Sequence, residues 1–370
     1  MMLKVAIVGC GKIADDHAQQ IRRVPAGRLV AVCDAEPLMA RQMADRFGAA
    51  AYDDLQKLLA EVRPDVVHIT TPPKSHFRLA MQCLDAGSHV FVEKPFTMNA
   101  DETCSLLECA TSRNLKLSVD HNLQFTEPAR RLRELVASGA LGGSPVHLES
   151  YFTYDLSDSG YARAFLNDSG HWVRALPGGL LQNVISHGIA RVAEHIKSDH
   201  PTVIAHGFTS PLLRSLGERT LRDELRVLIH DDSTTGYFTF SSQMRPQVSE
   251  FRVFGPKHGL LIDDAHHVVV RLNGTRQKSY LDMVGPALGL SSQYLGNAAR
   301  NFRGFLTGSL NMNNGMKELI SRFYNSIVSD APLPIPFREI LLTSRIMDAV
   351  FEQILEQRAD AHPGRRAVAG

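Results

Sequence analysis

Over the first third of the chain, short apolar runs of β-forming residues alternate with stretches of helical period. The runs fall at residues 3–8, 29–33, 66–70, 89–92 and 115–119, and the helical patterns at 13–23, 36–47, 54–61, 75–86 and 99–113. Nearly continuous apolar strands separated by helices predict βαβ units and a parallel sheet covered on both faces. The texture then changes. An amphipathic helix is expected over 126–138, followed by β-type runs at 146–153, 202–208, 225–230, 235–240, 250–254 and 267–272. Several of these alternate as half-exposed antiparallel strands do. Helices return at 292–306 and 314–328, a proline-rich connector covers 331–336, and a last helix covers 338–358. The fold class is therefore α/β: a dinucleotide-binding type domain over 1–122, then an α+β domain over 123–358 with a large open, mainly antiparallel sheet. The last helix is free to pack back on the first domain, and 359–370 reads as a disordered tail.

Bulk properties narrow the function. A chain of 370 residues exceeds what one core usually organises. No apolar run approaches the roughly 20 residues that span a bilayer, so a soluble protein is expected. Lys plus Arg number 40 against 39 Asp plus Glu, a net charge of +1, which gives no field to recruit nucleic acid or an anionic membrane. The apolar start runs into a glycine turn and not a cleavage site, so it reads as a strand and not a signal peptide. Five cysteines, an odd number confined to the first third, argue for reduced thiols and a cytoplasmic location.

Four segments carry candidate chemistry. Gly9-Cys10-Gly11-Lys12-Ile13-Ala14 is a G-x-G-x-x-A turn between a strand and a helix. Its glycines allow a tight turn and close backbone approach, so the helix start at Lys12 and Ile13 can face a pyrophosphate. Asp34 follows the second strand, where a carboxylate would accept from an adenosine ribose. Thr71-Pro72-Pro73-Lys74-Ser75-His76 and Glu93-Lys94-Pro95 both stand at the C-terminal ends of strands, the edge where ligands collect in open α/β sheets. A lysine there could polarise a hydroxyl or carbonyl. The fourth segment, Gly178-Gly179 through His187, reads as a helix with an apolar face at 181, 184, 185, 189, 192 and 196, leaving Asn183, His187, Arg191 and Glu194 on another.

In this order the motifs resemble the glucose-fructose oxidoreductase and inositol dehydrogenase family of NAD(P)-dependent enzymes, over nearly the whole chain. The resemblance implies a Rossmann domain plus a large open sheet, Lys94 as catalytic lysine with a Lys94-Pro95 peptide that can be cis, and His187 as proton relay. It implies cofactor contacts from Gly9, Gly11, Lys12, Ile13, Asp34, Thr71, Pro72, His76, Glu93 and Lys94, and a homodimer or homotetramer formed through the sheet. The family pattern Gly-Gly-x-x-x-Asp-x-x-x-His-x-x-Asp is broken twice, by Asn183 and Ala190. An Asn can orient a hydroxyl but cannot take its proton at neutral pH.

His121, after the last parallel strand, is expected near the nicotinamide or substrate. The stretch from Tyr151 through Tyr161, Arg163, His171, Trp172 and Arg174 mixes ring faces with polar groups, as a sugar site needs; Trp172 and Arg174 join Asn183 as substrate-positioning candidates. No Cys/His spacing for a metal is present, and no hydrolase elbow, zincin helix or Walker loop. The expected activity is hydride transfer between NAD, with NADP less favoured, and a secondary alcohol or ketone of a sugar, cyclitol or nucleotide sugar. The alternatives are a cofactor-binding sensor without turnover and an NAD-dependent glycosidase.

Overall fold

The computed structural model describes residues 2–156, 166–273, 280–307, 310 and 314–360. The chain forms two compact units, Met1–Phe125 with Met312–Ser344, and Thr126–Asn311 with Arg345–Gly370. Met312–Ser344, continuous in sequence with the second domain, thus belongs to the first unit.

In the first unit the strands are β1 (Leu3–Val8), β2 (Gly27–Cys33), β3 (Ala50–Tyr52), β4 (Val66–Ile69), β5 (His89–Val92) and β6 (Leu117–Val119). They form one sheet in the order β3-β2-β1-β4-β5-β6, and every adjacent pair is parallel. This is the Rossmann arrangement, with the order reversing between β1 and β4. The helices between strands are α1 (Lys12–Arg23), α2 (Pro37–Phe47), α3 (Leu55–Val62), α4 (His76–Asp85) and α5 (Ala100–Ser112). Local caps set their starts: Asp54 accepts from the Lys57 amide and Asn99 from the Glu102 amide. The three-residue β3 escapes the sequence reading because Ala50-Ala51-Tyr52 is too short to show a period. The returning segment 314–328 puts Phe323 and Tyr324 into the same core as Phe91. Gly27 opens β2 because a Cβ there would lie 2.4 Å from the Tyr324 ring.

The second unit holds α6 (Glu127–Ala137), β7 (His147–Thr153), α7 (Gly179–Val184), α8 (Ser186–Ala193), β8 (Thr202–Phe208), α9 (Pro211–Ser215), β9 (Glu224–His230), β10 (Thr235–Ser241), β11 (Ser249–Phe254), β12 (His258–Asp263), β13 (Val268–Asn273) and α10 (Leu281–Leu306). After it, α11 (Asn314–Val328) returns to the first unit, and α12 (Phe337–Asp360) begins there and ends in the second. The sheet order is β13-β12-β11-β7-β10-β9-β8. All pairs are antiparallel except β7 with β10. Three details depart from the sequence pattern. β12 is an additional strand. The helix expected through 181–196 bends at Ile185 into α7 and α8. And α10 starts at Leu281, since Pro286 and the flanking glycines 285 and 289 read as breakers yet lie inside the helix.

Both edges of this sheet are sealed by amide side chains that copy a strand's hydrogen bonds. On β8, Gln353 accepts from the Ala205 amide at 2.9 Å and donates to the Val203 carbonyl at 2.9 Å. On β13, Gln293 bonds both backbone groups of Arg271, and Asn297 both those of Val269. Among the described residues, no helix is long and apolar enough to cross a membrane.

Candidate functional site

A crevice of about 640 Å³ opens at the C-terminal ends of β1, β2 and β4, lined by Gly9, Gly11, Asp34, Thr71 and Pro72 among others. Gly9 has φ +96, and a Cβ there would sit 2.8 Å from the Thr71 backbone nitrogen, so only glycine is accommodated without strain. Gly11 is the opposite case: a Cβ would meet nothing within 4 Å, which leaves open space over the start of α1. No side chain caps that helix, so its first N–H groups, at Lys12 and Ile13, remain for an anion. Asp34 accepts from the Cys10 amide at 2.6 Å and from the Glu36 amide at 2.9 Å, tying the glycine turn to the end of β2. A carboxylate has about four acceptor sites, so Asp34 keeps capacity for ribose hydroxyls. These features fit a dinucleotide. Arg78 and Gln82, one turn apart on α4, also line the crevice; nothing in a single-sequence motif pointed to them. Burial, then the Asp34 charge, pushes the Cys10 thiol to about 12, so it packs as a neutral thiol.

His76 does not face this crevice. Its ring is buried, with Nε2 2.7 Å from the Thr71 carbonyl and Nδ1 3.0 Å from that of Pro95. It joins the two strand-end loops.

Glu93 is also buried, and it belongs to a hydrogen-bonded chain absent from the sequence reading. Its Oε2 accepts from the Lys94 amide at 2.9 Å, and its Oε1 lies 2.9 Å from His17 Nε2. His17 Nδ1 is 2.9 Å from His68 Nδ1, and His68 Nε2 is 2.9 Å from the Tyr324 hydroxyl. Burial would raise the Glu93 carboxyl, but the His17 hydrogen bond and the charges of His17 and Lys94 hold it down at about 2. Asp120 beside it goes the other way, pushed well above the carboxylate range by burial and by Glu93. The two buried acids therefore titrate as a coupled pair, with Asp120 the weaker acid. With Glu93 ionised and able only to accept, its hydrogen bond with His17 has a fixed direction. His17 Nε2–H donates to Glu93, and the contacts of His17 with His68 and of His68 with Tyr324 continue the chain inward. His17, Glu93 and Asp120 hold ligand-type atoms within 4.8 Å of one another, yet these atoms already face each other as hydrogen-bond partners. The Lys94-Pro95 peptide is cis. His121 is buried nearby and is pushed down to about 3 by burial, against the Glu93 charge and with that of Lys94.

The remaining candidates lie in the second unit. Asn183 is buried on α7 and His187 half-buried in the first turn of α8. Gly188, next to His187, is where α8 meets the sheet: a Cβ would lie 2.2 Å from the Phe238 ring. Part of the polar face drawn from the sequence is taken up by ion pairs. Arg191 pairs with Asp264 at 2.6 Å, both buried, and Glu194 accepts from Arg133 at 2.9 Å. Ala190 is buried in the core. Arg174 is held by Glu218 at 2.8 Å and by the Leu166 carbonyl. Burial would raise Glu218, but Thr220 and Arg174 bring it to about 2. Arg174 is thus a strut within this unit. Trp172 stacks on His171 with centroids 5.7 Å apart. Tyr161 and Arg163 lie outside the described residues.

Residues 3–121 match the model of an oxidoreductase family with an NAD-binding Rossmann fold. A D-glucoside 3-dehydrogenase of Escherichia coli is 36% identical over 142 residues, which are 38% of this chain and 40% of that protein. The chain thus spans about 40% of the length of this curated relative. Among solved structures, an NAD binding oxidoreductase from Klebsiella pneumoniae superposes with a TM-score of 0.76 at 22% identity, over 96% of this chain and 98% of the other. The WlbA dehydrogenase of Bordetella pertussis, in complex with NADH and UDP-GlcNAcA, superposes with a TM-score of 0.74 at 15% identity, over 96% of each chain. At these identities the structures establish shared fold.

Proposed function

We infer, from a chain that belongs through residues 3–121 to the Gfo/Idh/MocA family of NAD-binding oxidoreductases, that it is a dehydrogenase acting on a secondary alcohol of a sugar, cyclitol or nucleotide sugar. The observation that carries this reading is the crevice at the β1–β4 switch point, together with Lys94 just past β5, whose amide donates to the buried Glu93 that pairs with His17. The bound nicotinamide supplies or accepts the hydride. Lys94 hydrogen-bonds the reacting oxygen and favours its anionic form. His187 relays the hydroxyl proton, Asn183 orients a neighbouring hydroxyl, and His121 and Trp172 border the substrate. Acid-base help of this kind is worth about 10²–10⁴-fold. Asp34 in the crevice favours NAD, because a carboxylate repels a 2′-phosphate. The protein is proposed to work in the cytoplasm, as a homo-oligomer formed through the open face of the second sheet.

A second reading has its own support. With Asn183 and buried Ala190 where the family has acids, no carboxylate of that motif flanks His187, which favours a sensor that binds cofactor and sugar without turnover. Incubating the full chain with NAD or NADP and a panel of sugars, cyclitols and nucleotide sugars, while following absorbance of reduced nicotinamide, separates the two. Steady turnover with NAD is expected. Sugar binding with no reduced cofactor from any substrate would replace the enzyme by the sensor, and preference for NADP would remove Asp34 from the ribose.

A further inference from the structure

The 26-residue α10 is amphipathic the wrong way round for a helix covering its own sheet. Its polar side faces inward, where Gln293 and Asn297 hold the β13 edge, and Asn301 donates to the His266 carbonyl. Its apolar side faces out. Leu288, Leu295 and Phe302 recur every seven residues and are 65%, 72% and 63% exposed. Val284 and Phe305 flank them at the three-residue offset, with Ser291 and Ala298 between. This is an a/d seam of the kind that packs helix on helix. The seam and its neighbours expose on the order of 1,000 Å² of apolar side chain, well above what monomers usually show and matching the roughly 800 Å² per partner of a stable interface.

We propose that this face of α10 pairs with α10 of a second copy of the chain, antiparallel about a two-fold axis at Leu295. A seam centred there is complementary to itself, as a two-fold interface requires. Leu295 meets Leu295, Phe302 falls opposite Leu288, and Leu306 falls opposite Val284, so bulk faces smaller side chains at both ends. The antiparallel sense also opposes the two helix dipoles. Beside the seam, a groove of about 660 Å³ lined by Val268, Tyr294, Leu295 and Ala298 offers room for an aromatic ring from the partner. A membrane surface is the poorer occupant. Interfacial helices flank their apolar side with many Lys and Arg, whereas α10 has only Arg300 and Arg303, and Arg300 donates to Asn297 of its own helix. The interface is separate from the open sheet face, and with a sheet-mediated pairing it would close a tetramer.

The test is the mass of the full chain in solution, by sedimentation velocity, for the native protein, Leu295→Glu with Phe302→Glu, and a sheet-face variant, Ile204→Glu with Tyr237→Glu. The helix variant is expected to halve the native mass while circular dichroism and NAD titration stay unchanged. A native monomer, or a helix variant of native mass, overturns the proposal. So does dissociation in the sheet variant alone, or binding of the native monomer to phosphatidylserine vesicles that Leu295→Glu abolishes. Should the double variant misfold, Leu295→Cys decides: oxidation must give a covalent dimer through that position, and its absence overturns the pairing.

Discussion

His17 Nε2 lies 2.9 Å from Glu93 Oε1, with both groups buried, and the other oxygen of Glu93 accepts from the backbone of Lys94. A helix that starts at the nucleotide crevice thereby holds the residue before the candidate catalytic lysine. Removing one partner of such a pair leaves a buried charge uncompensated, at a cost of about 3–5 kcal/mol. His17→Ala should lower the first urea unfolding midpoint accordingly, while His17→Gln, which keeps a donor, should lose less. Equal midpoints for native and His17→Ala would mean that Glu93 is not ionised in the folded protein.

The two crevice glycines should respond differently to one methyl group. Gly9→Ala meets the Thr71 backbone at a positive φ and is expected to lose about 1–3 kcal/mol of stability along with nucleotide binding. Gly11→Ala meets no protein atom, so its melt should match the native one within about 0.5 kcal/mol. Its affinity for NAD should nevertheless drop at least several-fold, because the space belongs to the ligand. Paired melts and NAD titrations check both, and tight NAD binding by Gly11→Ala would place the pyrophosphate elsewhere.

Lys94→Met should leave NAD affinity within a few-fold and reduce kcat by about a hundredfold or more, since its charge acts in the transition state. His187→Ala should cut oxidation strongly near neutral pH and remove a titration that the native profile shows between about pH 6 and 8. Turnover that survives His187→Ala with the same profile would assign the proton to another group.

Acid should weaken the first unit from below about pH 6.5. Burial lowers His68, His76, His89 and His121, the last to about 3. Above their ordinary value their contribution is fully present. Below it the unfolded chain binds protons that the folded chain refuses, so stability falls with pH by about 1.4 kcal/mol per unit for each group. Asp120 opposes them, since its raised value favours the folded state at low pH and loses that contribution as pH rises. Unfolding midpoints should therefore fall as pH drops from about 6 to 5, where the histidines together outweigh Asp120, and His121→Phe should flatten the slope. A midpoint that rises on acidification would contradict the neutral histidines.

The parallel sheet and the nucleotide turn were legible in the sequence because both are local. Buried strands write themselves as apolar runs, and Gly9, Gly11 and Asp34 take their meaning from the strand or helix each adjoins. The chain through Tyr324, His68, His17 and Glu93 was not legible, although His17 sits on the apolar face of α1 with Ala14, Ala18 and Ile21. Its function as a link depends on Tyr324 returning from 256 positions beyond His68, and no periodicity encodes that return. Arg174 read as a substrate-positioning candidate, and Arg191 and Glu194 as the polar side of a helix, for the same reason. A polar residue at a helical offset looks alike whether it faces a ligand or a buried counter-ion, and only the fold brought Glu218, Asp264 and Arg133 to meet them. The heptad of α10 was written in the sequence, but the inserted proline and glycines hid it. That its apolar side faces outward was decided by tertiary structure alone, because the β13 edge needed amides and took the polar side.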